Sequence, residues 1–506
     1  RDCTMSNLLY DSLFGCHAGD AKPFLIFADG RSLSYDAFLR MAARFANTIN
    51  AAGLIVGDRL AMQVEKSAEA LAVYAACMQS GVIFLPLNTA YTPAEVEYFI
   101  SDSGARMLIA NDADSLQSLA SKHQVILQNM AADGSGSFTD LIATASDSYA
   151  PVARGGDDLA AFLYTSGTTG RSKGAMLTQN NLLSNAETLI DEWRFTEDDV
   201  LLHALPIFHT HGLFVATNII LLARASMIFL PKFDVDMVFA ALPQATSMMG
   251  VPTFYTRLLD DQRLTVQSTS HMRLFVSGSA PLLAETHIQF SQHTNQQILE
   301  RYGMTETNMN TTNPYDGPRR AGTVGKPLAG VELKITDPVT GACVADGTIG
   351  QIEVRGPNVF VGYWNMPEKT REELREDGFF ITGDLGFIDD QGYLQIVGRN
   401  KDLIIPGGYN IYPKEIELIL DQQPGVIESA VIGVPHPDFG ESVVGILVSD
   451  GTESLDLEQI TESVATSLAK FKQPRKLIVV DELPRNAMGK VQKNTLRDIY
   501  GSVLSG

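Results

Sequence analysis

Between residues 34 and 110 two hydrophobic periods alternate, and few architectures accommodate that. Ser34 to Gly53 carries Phe38, Met41, Ala42, Phe45, Ile49 and Ala52 at helical spacing. Arg59-Leu-Ala-Met-Gln-Val follows as a strand, Ala68 to Gln79 as a helix, and Val82-Ile-Phe-Leu-Pro-Leu as a buried strand. Pro93 to Ile100 reads as a helix and Arg106-Met-Leu-Ile-Ala as another strand. Strands separated by helices predict a largely parallel α/β sheet. The pattern continues where Thr178 caps a helix carrying Leu182, Leu183, Ala186, Leu189 and Ile190. Met227 to Leu230 and Leu274 to Val276 are further strands.

Beyond residue 320 the elements shorten, as in Thr348 to Arg355 and Gly392 to Val397, and predict an antiparallel β subdomain. A boundary falls at Val397 to Asp402. After it comes a small α+β unit: a helix at Lys414 to Asp421 with Pro413 as first helical residue, strands at Ser429 to Val434 and Val443 to Val448, a helix from Leu457 to Phe471, and a strand at Lys476 to Val480. A chain of 506 residues exceeds one core, which agrees with such a division.

Net charge is −21, from 38 basic and 59 acidic residues. That argues against nucleic acid or an anionic membrane as partner, and it obliges any anionic substrate to be held by a local cluster of Lys, Arg and metal. Four cysteines without a C-x-x-C fit a reducing compartment. The apolar window Val215 to Leu230 is interrupted by Asn218 and Arg224 and reads as core, not as a membrane span. The first residues read neither as an apolar signal segment nor as an Arg-rich leader, so the cytoplasm is the expected compartment. Met5 is the expected natural start, and a monomer the expected state.

Six stretches carry candidate chemistry. After the buried strand Leu159 to Leu163 come Tyr164, Thr165, Ser166, Gly167, Thr168, Thr169, Gly170 and Lys173. Glycines, hydroxyls and one cation suit close approach to a polyphosphate. Lys173 is followed by Gly174, so this is not the P-loop pattern, and the short strand from Ala175 makes it a hairpin lid. Val276-Ser277-Gly278-Ser279-Ala280-Pro281 is a strand end and small-residue turn against which a flat ring can lie. In Glu300-Arg-Tyr-Gly-Met-Thr-Glu-Thr307, Tyr302 can stack on a base, Thr305 can reach a phosphate, and Glu306 is a hard oxygen ligand for Mg2+. Asp384, after Gly383, can accept from two ribose hydroxyls. Gly398-Arg399-Asn-Lys401-Asp402 runs on to Gly407-Gly408-Tyr409-Asn410, and Lys490 follows Gly489 in a polar loop. Taken singly, each has a plain reading: a flexible turn, a surface turn, a solvated lysine.

In this order, and with Ile207-Phe-His-Thr-His-Gly-Leu-Phe214, they make the chain resemble the adenylate-forming acyl-CoA synthetase superfamily from residue 8 to residue 500. The resemblance implies an α/β fold: a large N-terminal domain of two stacked α/β subdomains plus a β subdomain (residues 1–398), a hinge at 399–402 with Lys401, and a small mobile α+β C-terminal domain (403–506). It implies that a carboxylate attacks the α-phosphate of Mg·ATP, and that a CoA thiol then displaces AMP. Thr165, Ser166, Gly167, Thr168, Thr169, Gly170 and Lys173 would hold the β and γ phosphates. Ser279, Ala280 and Pro281 would border the adenine, with Tyr302 stacked on it. Glu300, Arg301, Gly303 and Met304 complete that segment of the nucleotide site. Thr305 would contact the α-phosphate, Glu306 would ligate Mg2+, and Asp384 and Arg399 would bind ribose. Lys490 would bridge the reacting carboxylate and the α-phosphate, and leave when the small domain rotates. Gly407, Gly408, Tyr409 and Asn410 would then line the pantetheine channel.

Substrate choice is expected to rest on Arg301, whose guanidinium can hold a second carboxylate bidentately. Arg257, Ser277 and His209 are further candidates for the acyl pocket. Malonate is the expected acid, with methylmalonate admissible. Oxalate, another short dicarboxylate or a small monocarboxylate is the alternative, and a non-CoA adenylating module or a non-catalytic nucleotide-binding protein are less expected. The plain reading of Arg301 is a salt bridge to Glu300 or another acid on the surface. His209 and His211 have no third ligand at metal spacing and do not make a zinc site.

Overall fold

The computed structural model describes residues 6–165, 172–406, 411–436, 440–451, 455–486 and 489–504. The chain forms two compact units, one of residues Arg1–Glu332 with Val354–Phe380, the other of Leu333–Glu353 with Ile381–Gly506. The four-stranded sheet of residues 332–399 thus lies largely in the second unit, and Lys401 lies inside that unit.

The first unit holds two sheets. One has six strands in the order Ile126–Asn129, Met107–Ala110, Arg59–Gln63, Ile83–Pro86, Leu159–Thr165, Lys173–Thr178. All its neighbours run parallel except the last pair, an antiparallel hairpin in which Thr165 faces Lys173. The hairpin expected around residue 170 is therefore present at its base. The second sheet has nine strands in the order Lys326–Pro327, Asn308–Thr312, Ile298–Met304, Leu274–Ser277, Ser247–Gly250, Val200–His203, Ser226–Phe229, Pro23–Ile26, Ser32–Ser34. Its central six strands are parallel and its margins antiparallel.

Local chemistry sets the helix ends. Ser67 caps the helix Ala68–Ser80 by accepting from the Ala70 N–H, and Gly81 ends it in the left-handed region at φ 72°. That helix is apolar nearly all round and buried nearly all round. Thr92 and Glu95 form a reciprocal capping box at Pro93–Ser103. The window read as core from Val215 to Leu230 is buried almost throughout, and it begins inside a π-helix at His211–Thr217. A methyl group on Gly212 would lie 2.0 Å from the Pro206 carbonyl oxygen, so no other residue fits that turn.

In parallel sheets ligands gather at the carboxyl ends of strands. Here those ends bring His203, Gly250, Ser277 and the Arg301–Met304 segment to one margin of the nine-stranded sheet.

The second unit carries the sheet Glu332–Thr336, Gly350–Arg355, Phe380–Ile388, Leu394–Arg399, and a three-stranded sheet Val426–His436, Gly440–Ser449, Lys476–Val480. Apolar side chains cover both faces of the latter: Ile416, Leu420, Val431 and Val464 on one, Ile432, Val444, Leu483 and Leu496 on the other. The helix expected to reach Phe471 is shorter, Leu457–Ser467. Leu468 turns extended, and Lys470–Lys472 form a 3-10 turn in which the Lys472 ammonium binds the Glu415 carboxylate at 2.7 and 2.8 Å. Among the described residues no helix is long and apolar enough to cross a membrane.

Candidate active site

The hairpin that carries Thr165 and Lys173 is fixed at its base. The Tyr164 hydroxyl donates to Asp102 at 2.7 Å, and the Tyr98 hydroxyl to the Ser172 carbonyl at 2.8 Å. Residues 361–364 run beside its second strand, with Trp364 N–H donating to the Gly174 carbonyl and Met176 N–H to that of Gly362. This brings Tyr363 under Lys173, whose ammonium lies 4.1 Å from the ring centre. The same ammonium is 3.2 and 3.1 Å from the two Glu373 oxygens. The Tyr363 hydroxyl is 2.6 Å from Glu373 and 2.9 Å from Glu306, so two carboxylates compete for one phenolic proton. Burial and those carboxylates push the Tyr363 phenol far above its ordinary value. Burial would raise the Glu373 carboxyl, but Tyr363, Lys173 and Lys369 together hold it below the usual carboxylate range.

Glu306 lies in the turn between the paired strands Ile298–Met304 and Asn308–Thr312 and is nonetheless buried. Among the described residues no three His, Cys, Asp or Glu side chains converge to hold a metal on their own. One buried carboxylate completed by substrate phosphate oxygens and water is the usual donor set for Mg2+, and Glu306 fits it.

Arg301 is 4 % exposed. Its Nε and Nη2 have no hydrogen-bond partner, and among the described residues no carboxylate pairs with it. Burial pulls the guanidinium down to about 9, partly offset by Tyr255, so it stays a cation at neutral pH. Successive residues on a strand face opposite ways. Accordingly Glu300 turns toward His287, 3.7 Å away, and the plain reading of an Arg301–Glu300 salt bridge is not what the structure contains. Burial raises the Glu300 carboxyl, and His287 opposes that. The guanidinium lies against Gly278, where a methyl group would come within 2.3 Å of its carbon. The small-residue turn thus accommodates a flat group, and in this structure the group is Arg301.

Two more polar groups are left unsatisfied. Ser277 Oγ is buried without a partner, but Ser277 is the register partner of Glu300 and it is Gly278 that faces the guanidinium, so the Ser277 side chain, expected in the acyl pocket, lies on the Glu300 face. His211 is fully buried; its Nδ1 is 3.2 Å from Ser279 Oγ, and its Nε2 is unpartnered. Burial, then the Arg301 charge, hold the His211 imidazole well below its ordinary value, so it is neutral. Ser279 stands at φ 71°, a strained position for a residue with a side chain.

The other expected residues are placed less uniformly. His209 is half-buried and its Nδ1 accepts from the His211 N–H. Tyr302 is buried beside Gly303, whose missing side chain leaves room for the Asn308 carbonyl. Met304, Thr305 and Ala280 are half-buried, and Pro281 is exposed. Arg257 is exposed on its helix, whereas Tyr255 and Leu258 are buried; no contact ties it to the Arg301 group. Ser166, Gly167, Thr168, Thr169, Gly170 and the loop Gly407, Gly408, Tyr409, Asn410 lie outside the described residues.

In the second unit Asp384 and Arg399 are cross-strand partners, with Nε 2.8 Å from Oδ1. Gly383, at φ 74°, makes the turn before the carboxylate. Lys490 is held by Asn486, whose N–H donates to the Lys490 carbonyl and whose Oδ1 accepts the Lys490 N–H at 2.9 Å. Burial, Arg399 and Lys401 pull the Lys490 ammonium down to about 8, against the pull of Asp384 and Asp402. Lys401 is likewise lowered, by burial first.

Sequence reasoning did not single out Tyr363, Glu373, Lys66 or His203, nor the burial of His211. Tyr363 and Glu373 are nearly 200 residues from Lys173, and no local pattern links them. The histidines of Phe208-His-Thr-His211 were visible, but only the fold shows which one points inward.

The AMP-binding enzyme model matches residues 16–364, and the AMP-binding enzyme C-terminal domain model matches 415–490. A malonate–CoA ligase of Arabidopsis thaliana is 34% identical over 97% of this chain and 88% of its own length. The mouse malonate–CoA ligase ACSF3, mitochondrial, is 36% identical over 84% of this chain and 79% of its own. The crystal structure of ATP-bound MatB from Rhodopseudomonas palustris superposes with TM-score 0.97 at 56% identity, covering 99% of this chain and all of the other. The chain belongs to the AMP-binding enzyme family.

Proposed function

We propose that this protein is an AMP-forming malonate–CoA ligase. One observation carries the choice of acid: a buried guanidinium with no carboxylate partner among the described residues, which acts on the buried imidazole of His211, whose Nε2 is unsatisfied. Burying an unpaired cation is costly, and a second substrate carboxylate removes that cost. A monocarboxylate would leave Arg301 unneutralised. The names of the Arabidopsis and mouse relatives support the same reading.

In the first half-reaction Arg301 holds the distal carboxylate, and an oxygen of the other attacks the α-phosphorus of ATP. The new P–O bond forms as the bond to diphosphate breaks, giving malonyl-adenylate. Thr165 and Lys173 with the loop Ser166–Gly170 hold the β and γ phosphates, and Thr305 the α-phosphate. Ser279, Ala280, Pro281 and Tyr302 border the adenine, and Asp384 and Arg399 the ribose. Lys490 stabilises the charge that develops at the α-phosphate. Mg2+, held by Glu306, supplies charge neutralisation of the phosphates when bound. In the second half-reaction the CoA sulfur attacks the acyl carbon, the C–S bond forms, AMP leaves and the thiol proton passes to solvent. Lys401 is the pivot between half-reactions, and Gly407–Asn410 line the path of the thiol arm.

Diphosphate release measured across small acids, with and without CoA, tests the assignment. Malonate should give the highest rate and need CoA for sustained turnover. Methylmalonate should follow within about 10–200-fold, since one methyl group is worth roughly 1–3 kcal/mol of fit. Absence of malonate-dependent release would refute the proposal.

The Lys490 ammonium, lowered to about 8, is cationic below that pH and neutral above it. Adenylation needs the cation, so ATP–diphosphate exchange should fall as pH rises through about 8, and Lys490→Arg should remove that alkaline limb. A limb that persists in the Arg variant would assign it to another group.

Tyr363→Phe should raise the KM for ATP about tenfold, the ~1.4 kcal/mol expected for a hydrogen bond to a charged group, and leave the KM for malonate unchanged. The opposite pattern would remove Tyr363 from the phosphate side of the site.

A further inference from the structure

Lys66 is a lysine in the core of the first unit, 8 % exposed, and the acyl-adenylation chemistry gives it no role. It follows the strand Arg59–Gln63 and precedes Ser67, the cap of a buried helix. Its ammonium is 2.8 Å from His203 Nδ1, 2.8 Å from the His203 carbonyl oxygen, and 4.3 Å from the centre of the Phe229 ring. Buried lysines normally pair with a carboxylate. Among the described residues no carboxylate pairs with Lys66, whose partners are His203 and the Phe229 ring.

The hydrogen-bond pattern fixes the imidazole. His203 Nε2 is 2.8 Å from the Gly212 carbonyl oxygen, which can only accept, so Nε2 carries the hydrogen. Nδ1 is therefore the acceptor for Lys66. The Thr217 hydroxyl donates to the same Gly212 oxygen at 2.9 Å. Gly212 follows His211 in the π-helix and has no space for a side chain. A π-helical turn gives up α-helical hydrogen bonds and needs other contacts to hold it. Lys66, His203 and Thr217 supply them at the residue next to His211, whose unpartnered Nε2 belongs to the same polar group as Arg301.

We propose that Lys66 and His203 are a positioning pair that holds the π-helical turn so that His211 serves as a second group, beside Arg301, for the distal carboxylate. The proposal rests on the dicarboxylate reading of the site. Lys66 does not touch substrate; it acts through the His203 tautomer and the Gly212 peptide.

Lys66→Met keeps an unbranched side chain and removes the donor. It should raise the KM for malonate about tenfold while the KM for ATP stays within about twofold. Lys66→Gln, which keeps a donor, should recover part of the loss and serves as the test protein if the Met variant does not fold. In a His211→Ala background either Lys66 variant should change the KM for malonate no further, because both act on one group. Equal shifts in both KM values, an unchanged malonate KM, or additive effects with His211→Ala would overturn the proposal. A wild-type protein that turns over another acid but not malonate would instead refute the substrate reading, and with it the role given to His211.

Discussion

The uncompensated charge of Arg301 organises the first unit. A guanidinium buried without a carboxylate destabilises a folded chain unless something else requires it. Here the surroundings are built around that cation. Gly278 has no side chain so that the guanidinium can lie on its backbone, and Glu300, one residue away, is turned to the opposite face against His287. His211 contributes a polar atom left unsatisfied. Each is a local cost, which the dicarboxylate of the proposed function would offset. Stability is given up where specificity is gained.

The same logic explains how a chain at −21 takes up anionic substrates. General attraction is absent, so each anion needs its own cation, held in place before the anion arrives. Lys173 is held by Glu373 and the face of Tyr363. Lys490 is held by Asn486, with Arg399 and Lys401 pulling its ammonium toward neutrality. A lysine so depressed gains most from a phosphate oxygen, because the incoming negative charge restores its proton affinity. Charge is thus kept in small, desolvated groups, where it acts at short range and is little screened by salt.

Much of this was legible in the sequence. The alternation from Ser34 to Ala110 predicts three neighbouring strands of the six-stranded sheet, because the core of such a sheet leaves little choice of residue, whereas its edge strand Ile126–Asn129, half-buried throughout, was not read. The hairpin at Thr165 and Lys173 and the turn carrying Thr305 and Glu306 could likewise be found, since they lie in contiguous residues, and Arg301 could be singled out there as a candidate. What could not be read depends on separation or on direction. Glu373 meets Lys173 only through the path of residues 361–364 beside the hairpin. Lys66 meets His203 across two strands of different sheets. The π-helix at His211–Thr217 has no signature of its own; it follows from a collision at Gly212 that only the fold creates. Arg257 has the right residue type but lies exposed on its helix, which periodicity around Tyr255 and Leu258 indicates only in retrospect.

The proposed contact between the Arg301 charge and the second carboxylate of the acid can be measured directly. Monomethyl malonate keeps one carboxylate for activation and neutralises the other while adding one methyl group there, so the Arg301→Ala variant is needed to separate the charge from the added bulk. The decisive measurement is the ratio of kcat/KM for malonate to that for its monomethyl ester, in the wild type and in Arg301→Ala. The expected wild-type ratio is at least about 100, from the roughly 3 kcal/mol lost when a buried ion pair loses one partner, with a collapse toward unity in the variant. A ratio that is the same in both proteins would contradict it.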